Sequence, residues 1–249
     1  MRLAVVKAAA SLLLLLCPML WSPPTLAFRP FDGTDAAVAD PGQVEIELQP
    51  AGYRREGSEH SLTGPGARFN YGFAEGWEAV LEGVAVHELS AGDRRSSLVD
   101  NALSLKHVLR DGSLQEKTGP SVATEWGLLL PGLNDDSGVG GSVALIASQQ
   151  WPWATVHLNL AVAVTRQQHG DVFVGAIVEG PRDWPVRPVA EVFHERDFGG
   201  QTTESGLIGA IWQVRETLSF EAGLRRARVN DHSLDEIRAG LTFAFGVKR

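Results

Sequence analysis

Residues 154–165, ATVHLNLAVAVT, alternate without interruption. Val156, Leu158, Leu160, Val162 and Val164 fall on one side, and Thr155, His157, Asn159, Ala161, Ala163 and Thr165 on the other. A period of two belongs to a β-strand whose faces meet different surroundings, because successive side chains point to opposite sides of a sheet. Residues 235–247, DEIRAGLTFAFGV, repeat the pattern. There Ile237, Ala239, Leu241, Phe243, Phe245 and Val247 oppose Glu236, Arg238, Gly240, Thr242, Ala244 and Gly246. A continuous apolar face backed by a polar or small one suits two architectures. One is a soluble sandwich with the apolar side inward. The other is a membrane barrel with the apolar side toward lipid and the polar side around a lumen.

Outward from these two stretches the same rhythm predicts twelve strands: 44–53, 66–74, 77–89, 98–110, 120–130, 138–149, 154–165, 171–180, 188–196, 204–214, 218–228 and 235–247. No window of 18 apolar residues follows residue 27, so no spanning helix is available there. The segments 54–65, 90–97, 131–137, 166–170, 197–203 and 229–234 read as polar loops. Glu75-Gly76 and Arg215-Glu216-Thr217 are short, and QWPW at 150–153 is short and aromatic. Longer loops on one side and short turns on the other favour the barrel. Trp77, Trp151, Trp153 and Trp184 stand at predicted strand ends or turns, where an indole can bury its ring and keep its N–H wet at a membrane interface. Trp126 and Trp212 fit either architecture.

The chain has 249 residues, 44% apolar and 21% charged, which excludes a collagen, a coiled coil or a disordered tail. Its 30 acids against 22 Lys and Arg give a net charge of −8, which argues against nucleic-acid binding through a basic field. Residues 1–27 read as a cleaved secretory signal: Arg2 and Lys7, an apolar run from Ala8 to Leu16, Pro23-Pro24, then Thr25-Leu26-Ala27 before Phe28. Removing them leaves 20 bases against 30 acids, net −10, and removes Cys17, the only cysteine. The exported domain would then hold no disulfide and no thiolate metal site. Residues 28–43 read as a periplasmic lead-in segment, and 44–249 as one domain.

If the apolar faces meet lipid, Val156, Leu158, Leu160, Val162, Ile237, Leu241, Phe243 and Phe245 are the lipid-facing residues. Glu125, His157, Asn159, Glu221, Arg225, Glu236 and Arg238 then face the lumen, with the turn near 230–232 bringing Arg225 close to Glu236 and Arg238. These charges either guide a solute or pair with one another to fill a narrow barrel. The seven histidines show no metal-ligand spacing, and Asn134-Asp135-Asp136 lacks the order of a calcium loop. There is no G-x-S-x-G, so no catalytic residue and no cofactor are assigned.

The lead-in RPFDGTDAAVADPGQVEIEL (29–48), followed by RFNYGFAEGWEAVLEG (68–83), resembles a family of bacterial envelope proteins named for the meta (MetA) pathway of phenol degradation and described as transporter-like. The specific part is Arg29–Leu48 with the Tyr71-Gly72…Trp77-Glu78 hairpin; the remainder matches mainly in strand rhythm. The resemblance implies an outer-membrane β-barrel in a Gram-negative bacterium, inserted by the barrel-assembly machinery and surrounded by outer-membrane lipid. It also implies a small hydrophobic or aromatic solute, since the family's genes lie near those for aromatic degradation. One departure is the C-terminus, where Val247-Lys248-Arg249 follows Phe245 in place of a final aromatic residue.

The expected fold is therefore all-β: a single antiparallel transmembrane barrel of about twelve strands with a polar lumen, allowing passive, non-enzymatic passage or binding of small solutes. Two rivals are carried forward. One is a soluble exported β-sandwich or lipocalin-like binding protein. The other is a lipid-modifying barrel enzyme, which needs a Ser–His–acid cluster near the outer rim.

Overall fold

The computed structural model describes residues 30–90 and 95–247. The expected signal segment, Cys17 and Lys248-Arg249 lie outside the described residues. Twelve strands follow one another: β1 (Gln43–Glu56), β2 (Glu59–Ala74), β3 (Trp77–Glu88), β4 (Ser96–Arg110), β5 (Ser121–Leu129), β6 (Gly140–Trp151), β7 (Ala154–Val164), β8 (Gly170–Glu179), β9 (Val186–Asp197), β10 (Gln201–Arg215), β11 (Leu218–Val229) and β12 (His232–Gly246). Each pairs antiparallel with its sequence neighbours, and β12 returns to β1, so the barrel is closed. Closure gives every strand two partners and leaves no open edge, the condition for a sheet surrounded by hydrocarbon. A single 3-10 turn, Ser113–Gln115, lies between β4 and β5 among the described residues.

Closure into one sheet removes the sandwich rival. Leu158, Leu160, Val162 and Ile237 stand on the outer wall with about half their surface exposed, while His157, Asn159 and Glu236 on the alternate positions are buried inside. Two facing sheets would bury the first set and expose the second. A lipocalin-like cup would need an apolar interior, whereas buried glutamates line this one.

Each of the twelve sequence-read strands falls on one observed strand, with ends displaced by up to about seven residues. The largest difference among the strands is 54–65, expected as a loop. It is the extended end of the β1–β2 hairpin, turning only at Gly57-Ser58, where Gly57 has φ +58°. Here the strands outrun the apolar belt, so both faces are polar and alternation vanishes. Pro50 and Pro65, which also read as breakers, lie at register shifts of β1 and β2, where a missing N–H costs no ladder bond.

The connections divide between two rims. The rim shared with the start of β1 and the end of β12, called proximal here, carries 75–76, 111–120, 152–153, 180–185 and 216–217. The distal rim carries 57–58, the β3–β4 connection, 130–139, 165–169, 198–200 and 230–231. Two-residue turns and ten-residue connections occur at both, so the loop asymmetry read from the sequence is only partial.

The lead-in segment differs most from expectation. Residues 30–42 do not stand outside the barrel; they run through its lumen from about mid-height to the proximal rim. Phe31 packs on Ile177, Val189, Leu207 and Ile211, and Ala36 packs with Ala123 and Ile146. The physical reason is that a twelve-stranded wall encloses more volume than its own side chains fill, and Phe31 and Ala36 complete two apolar patches on the inner face.

Candidate functional site

The lumenal segment, hereafter the strap, has no regular structure, so its backbone donors need partners from the wall. They find them on widely separated strands. The amides of Asp32 and Gly33 donate to Glu191 Oε2 and Oε1 on β9, at 2.9 and 2.7 Å. Thr34 N–H donates to Asn159 Oδ1 on β7 at 3.0 Å, and Asn159 Nδ2 returns a bond to the Thr34 carbonyl at 2.9 Å. Ala36 N–H donates to Ser148 Oγ on β6 and Ala39 N–H to Glu78 Oε2 on β3, at 2.9 and 2.7 Å. Arg238 on β12 donates to the Pro30 carbonyl at 2.8 Å. The strap thus bridges opposite walls.

Charge pairs hold the same segment. Asp32 accepts from both terminal nitrogens of Arg238, at 3.2 and 3.1 Å, and lies 3.6 Å from Arg225. Asp35 is fully buried with its Oδ1 3.3 Å from Lys106 Nζ. Burial pushes the Asp35 carboxyl above the ordinary aspartate range, and the Lys106 ammonium opposes that shift. At the exit the strap presses on β2: the Gly42 amide donates to the Gly72 carbonyl at 2.7 Å. A Cβ on Gly72 would collide with the carbonyl oxygens of Ala39 and Asp40, so this position must be glycine for the strap to pass.

The sequence-derived lumenal residues occupy this surface as follows. Glu125 lies 3.5 Å from Arg68. His157 Nδ1 meets Ser148 Oγ at 2.8 Å, and its Nε2 lies 3.5 Å from Glu179. Asn159 holds the strap. Arg225, Glu236 and Arg238 form one cluster, with Arg225–Glu236 at 3.2 Å and Arg238–Glu236 at 3.0 Å. Glu221 stands apart from that cluster, with Thr242 Oγ1 donating to it at 3.4 Å. Of the outer residues, Leu158, Leu160, Val162, Ile237 and Phe245 are exposed, and Val156, Leu241 and Phe243 are half-exposed. Trp77, Trp151, Trp153 and Trp184 all sit at the proximal rim, where Trp151 stacks on Trp153 and Trp77 on His107.

Sequence reasoning missed Arg68, Lys106, Glu78 and Glu191, and with them the strap's own Asp32 and Asp35. The strand residues carried a usable signal, since each shares parity with the polar face of its strand. Arg68 is a hub: it reaches Glu82 at 3.2 Å, Glu125 at 3.5 Å and Glu47 at 3.7 Å. Ser148, His157 and Glu179 form a Ser–His–acid series, the constellation demanded by the enzyme rival. It is not at the distal rim. It is buried beneath the strap, and Ser148 Oγ already accepts the Ala36 amide. Within the series, Ser148 Oγ is the atom that holds the strap.

The strap leaves a cavity on each side. The distal one, about 500 Å³, is lined by Glu82, Arg166, Asp171, Phe173, Glu195 and Asp197 among others. The proximal one, about 350 Å³, is lined by Asp35, Glu45, Glu47, Glu78, Lys106 and Arg182 among others. Carboxylates outnumber cations in both.

Glu191→Ala removes both acceptors from Asp32 and Gly33. Hydrogen bonds to charged groups contribute ~1.5–3 kcal/mol each. The expected result is faster hydrogen exchange at the strap amides with the β-strand amides unchanged, as read by mass spectrometry.

No family model and no curated protein matches the chain, so the family resemblance of the lead-in is not confirmed. Solved structures do match. The COG4313 outer membrane channel from Pseudomonas putida F1 superposes with TM-score 0.59 at 11% identity, covering 86% of this chain and 100% of that one. The NanC porin gives 0.55 at 8% identity, covering 80% and 98%. The KdgM porin, solved with a disordered oligogalacturonate, gives 0.53 at 10% identity, covering 81% and 99%. At these identities the likeness is one of fold, and the fold is that of the porin-like outer-membrane barrels.

Proposed function

We propose that this chain is an outer-membrane barrel that lets small solutes pass passively, without catalysis, through a lumen narrowed by its own lead-in strap. The observation that carries this reading is the inversion of polarity across the wall: apolar side chains outside, and buried Glu45, Glu47, Glu78 and Glu191 inside. An apolar outer wall is stable in hydrocarbon, and a charged inner face is stable only if wet or paired. Export through a cleaved signal and insertion by the barrel-assembly machinery belong to the same reading. Fold likeness to outer-membrane channels and porins supports it.

The acid excess favours cations. A pore lined by carboxylates concentrates cations and repels anions, which separates this lumen from one suited to a polyanion. In planar bilayers under a KCl gradient, the full chain should show a reversal potential of cationic sign, shrinking as ionic strength rises and screening shortens. A reversal potential of anionic sign, or membranes that stay silent at every voltage, overturns the proposal. A second reading, an aromatic solute, is favoured by one feature. Phe173 and Phe193 present paired rings to the lumen with centroids 5.0 Å apart, and Arg225 lies over Phe193 at 5.1 Å. Block of the potassium current by an aromatic cation more strongly than by an aliphatic cation of equal charge would support it.

A further inference from the structure

We propose that the outer wall of β9–β12 and β1 holds a phosphorylated lipid of the distal leaflet, with acyl chains in a groove and phosphate on Arg226 and Arg55. Strand register builds the site as two rungs. The lower rung is apolar: Ala190 pairs with Ile208, Ile208 with Leu224, Leu224 with Ile237, and Ile237 with Tyr53. The rung above it runs Val192, Gly206, Arg226, Asp235 and Arg55 across the same strands and ends on His60 of β2. On β11, β12 and β1 one step along the outer face therefore changes the wall from hydrocarbon-like to charged, while β9 and β10 keep Val192 and Gly206 beside it. That is the depth at which acyl chains give way to headgroups.

The groove is a built concavity of about 640 Å³ on the outer wall. It exists because Gly206 and Ala190 are small where their neighbours are large, and a Cβ on Gly206 would meet nothing within 4 Å. Beside the gap stand Ile208 and Val192, both more than 60% exposed. Bulk lipid needs no such recess; a fixed acyl chain does.

The upper rung carries one net positive charge, Arg55 and Arg226 against Asp235, although the whole chain carries −8. Arg55 Nη2 donates to Asp235 Oδ2 at 2.9 Å. Arg226 Nε pairs with the other oxygen of the same carboxylate at 3.7 Å, and its side chain stays 77% exposed. Arg228, two residues nearer the distal rim on the same face, pairs with Asp231 at 3.6 Å and registers with Glu204, so it adds no net positive charge. Arginine forks match phosphate oxygens, so the occupant is an anionic phospholipid-type headgroup with chains attached. Its source is the membrane and not a soluble phosphate. The tryptophans identified above gather at the opposite rim, so the two interfaces are built for different leaflets.

The proposal does not depend on the channel reading, and its test reads stability, not conductance. Purified full chain in neutral detergent micelles is heated, and the folded band is followed by its gel migration. The probe is lipid A, which carries two phosphates and several acyl chains; phosphatidylcholine and inorganic phosphate are the comparisons. The expected result is a higher unfolding temperature with lipid A alone, lost in the Arg55→Gln/Arg226→Gln double variant. Gly206→Trp, which fills the groove and leaves both arginines in place, should lose most of the shift. An equal shift with phosphatidylcholine, a shift with inorganic phosphate, no shift in the parent chain, or a full shift in the charge variant overturns the assignment.

Discussion

Deleting residues 30–39 should raise single-channel conductance several-fold while leaving the barrel closed. The strap bridges the β11–β12 wall and the β3–β7 wall between the proximal and distal cavities, so on the channel reading it fills the section that would limit flow. None of the ladder bonds that close the barrel passes through it: β1 pairs with β12 from Gln43 and with β2 from Val44, beyond the deleted residues. Stability should fall, because Phe31 leaves its patch on Ile177 and Ile211, and burying a side chain of this size contributes ~1.5–3 kcal/mol. The freed carboxylates of Glu78 and Glu191 meet entering water and not a dry void, so they add less than a buried unpaired charge would. Heat-modifiable gel migration checks the closure, and planar-bilayer recording checks the conductance. An unchanged conductance in a chain that still runs as a folded band would show that the strap does not set the width. A milder variant, Asp32→Ala with Asp35→Ala, removes the charge pairs to Arg238, Arg225 and Lys106 and the acceptor of the Ala37 amide, and keeps the backbone bonds to the wall. It should give intermittent openings to the larger level.

What the sequence disclosed follows from what a period can carry. Strands such as β7 and β12 cross a boundary between lipid and lumen, so their chemistry switches at every residue and the switch is visible without coordinates. Where a strand leaves the belt, as at Arg54–Pro65, both faces are wet and the pattern disappears although the hydrogen bonds continue. The strap was harder still. Phe31, Asp32 and Asp35 fall within five residues of irregular chain and contact different walls, so no periodicity records them. The lead-in and the Tyr71–Glu78 hairpin are one structural unit. Gly72 gives way to Ala39 and Asp40, and Glu78 holds the Ala39 amide. Arg68 and Lys106 were legible by parity but not by meaning, since their partners Glu47 and Asp35 lie on other segments.

The neighbouring pair Leu160 and Ala161 offers the sharpest test of which solvent bathes each face. Leu160 lies near the middle of β7, registers with Leu145 and Val174 on the flanking strands, and is 48% exposed on the outer wall. Its side chain would sit close to the bilayer midplane, where an arginine costs ~2–4 kcal/mol. At about 1.4 kcal/mol per factor of ten, Leu160→Arg should lower the folding equilibrium roughly 30- to 700-fold. Ala161, one residue on, lines the distal lumenal cavity. An arginine there reaches Asp171 and Glu195 through wet space, so Ala161→Arg should cost under about 1 kcal/mol, as surface substitutions do, and should instead weaken cation preference by adding positive charge to the pore. Urea titration of folding into lipid vesicles, with the folded fraction read on gels, measures both. The order of the two losses decides the matter. Hydrocarbon outside and water inside require Leu160→Arg to be the damaging change, and the reverse order would mean that the valine and leucine face is packed against protein.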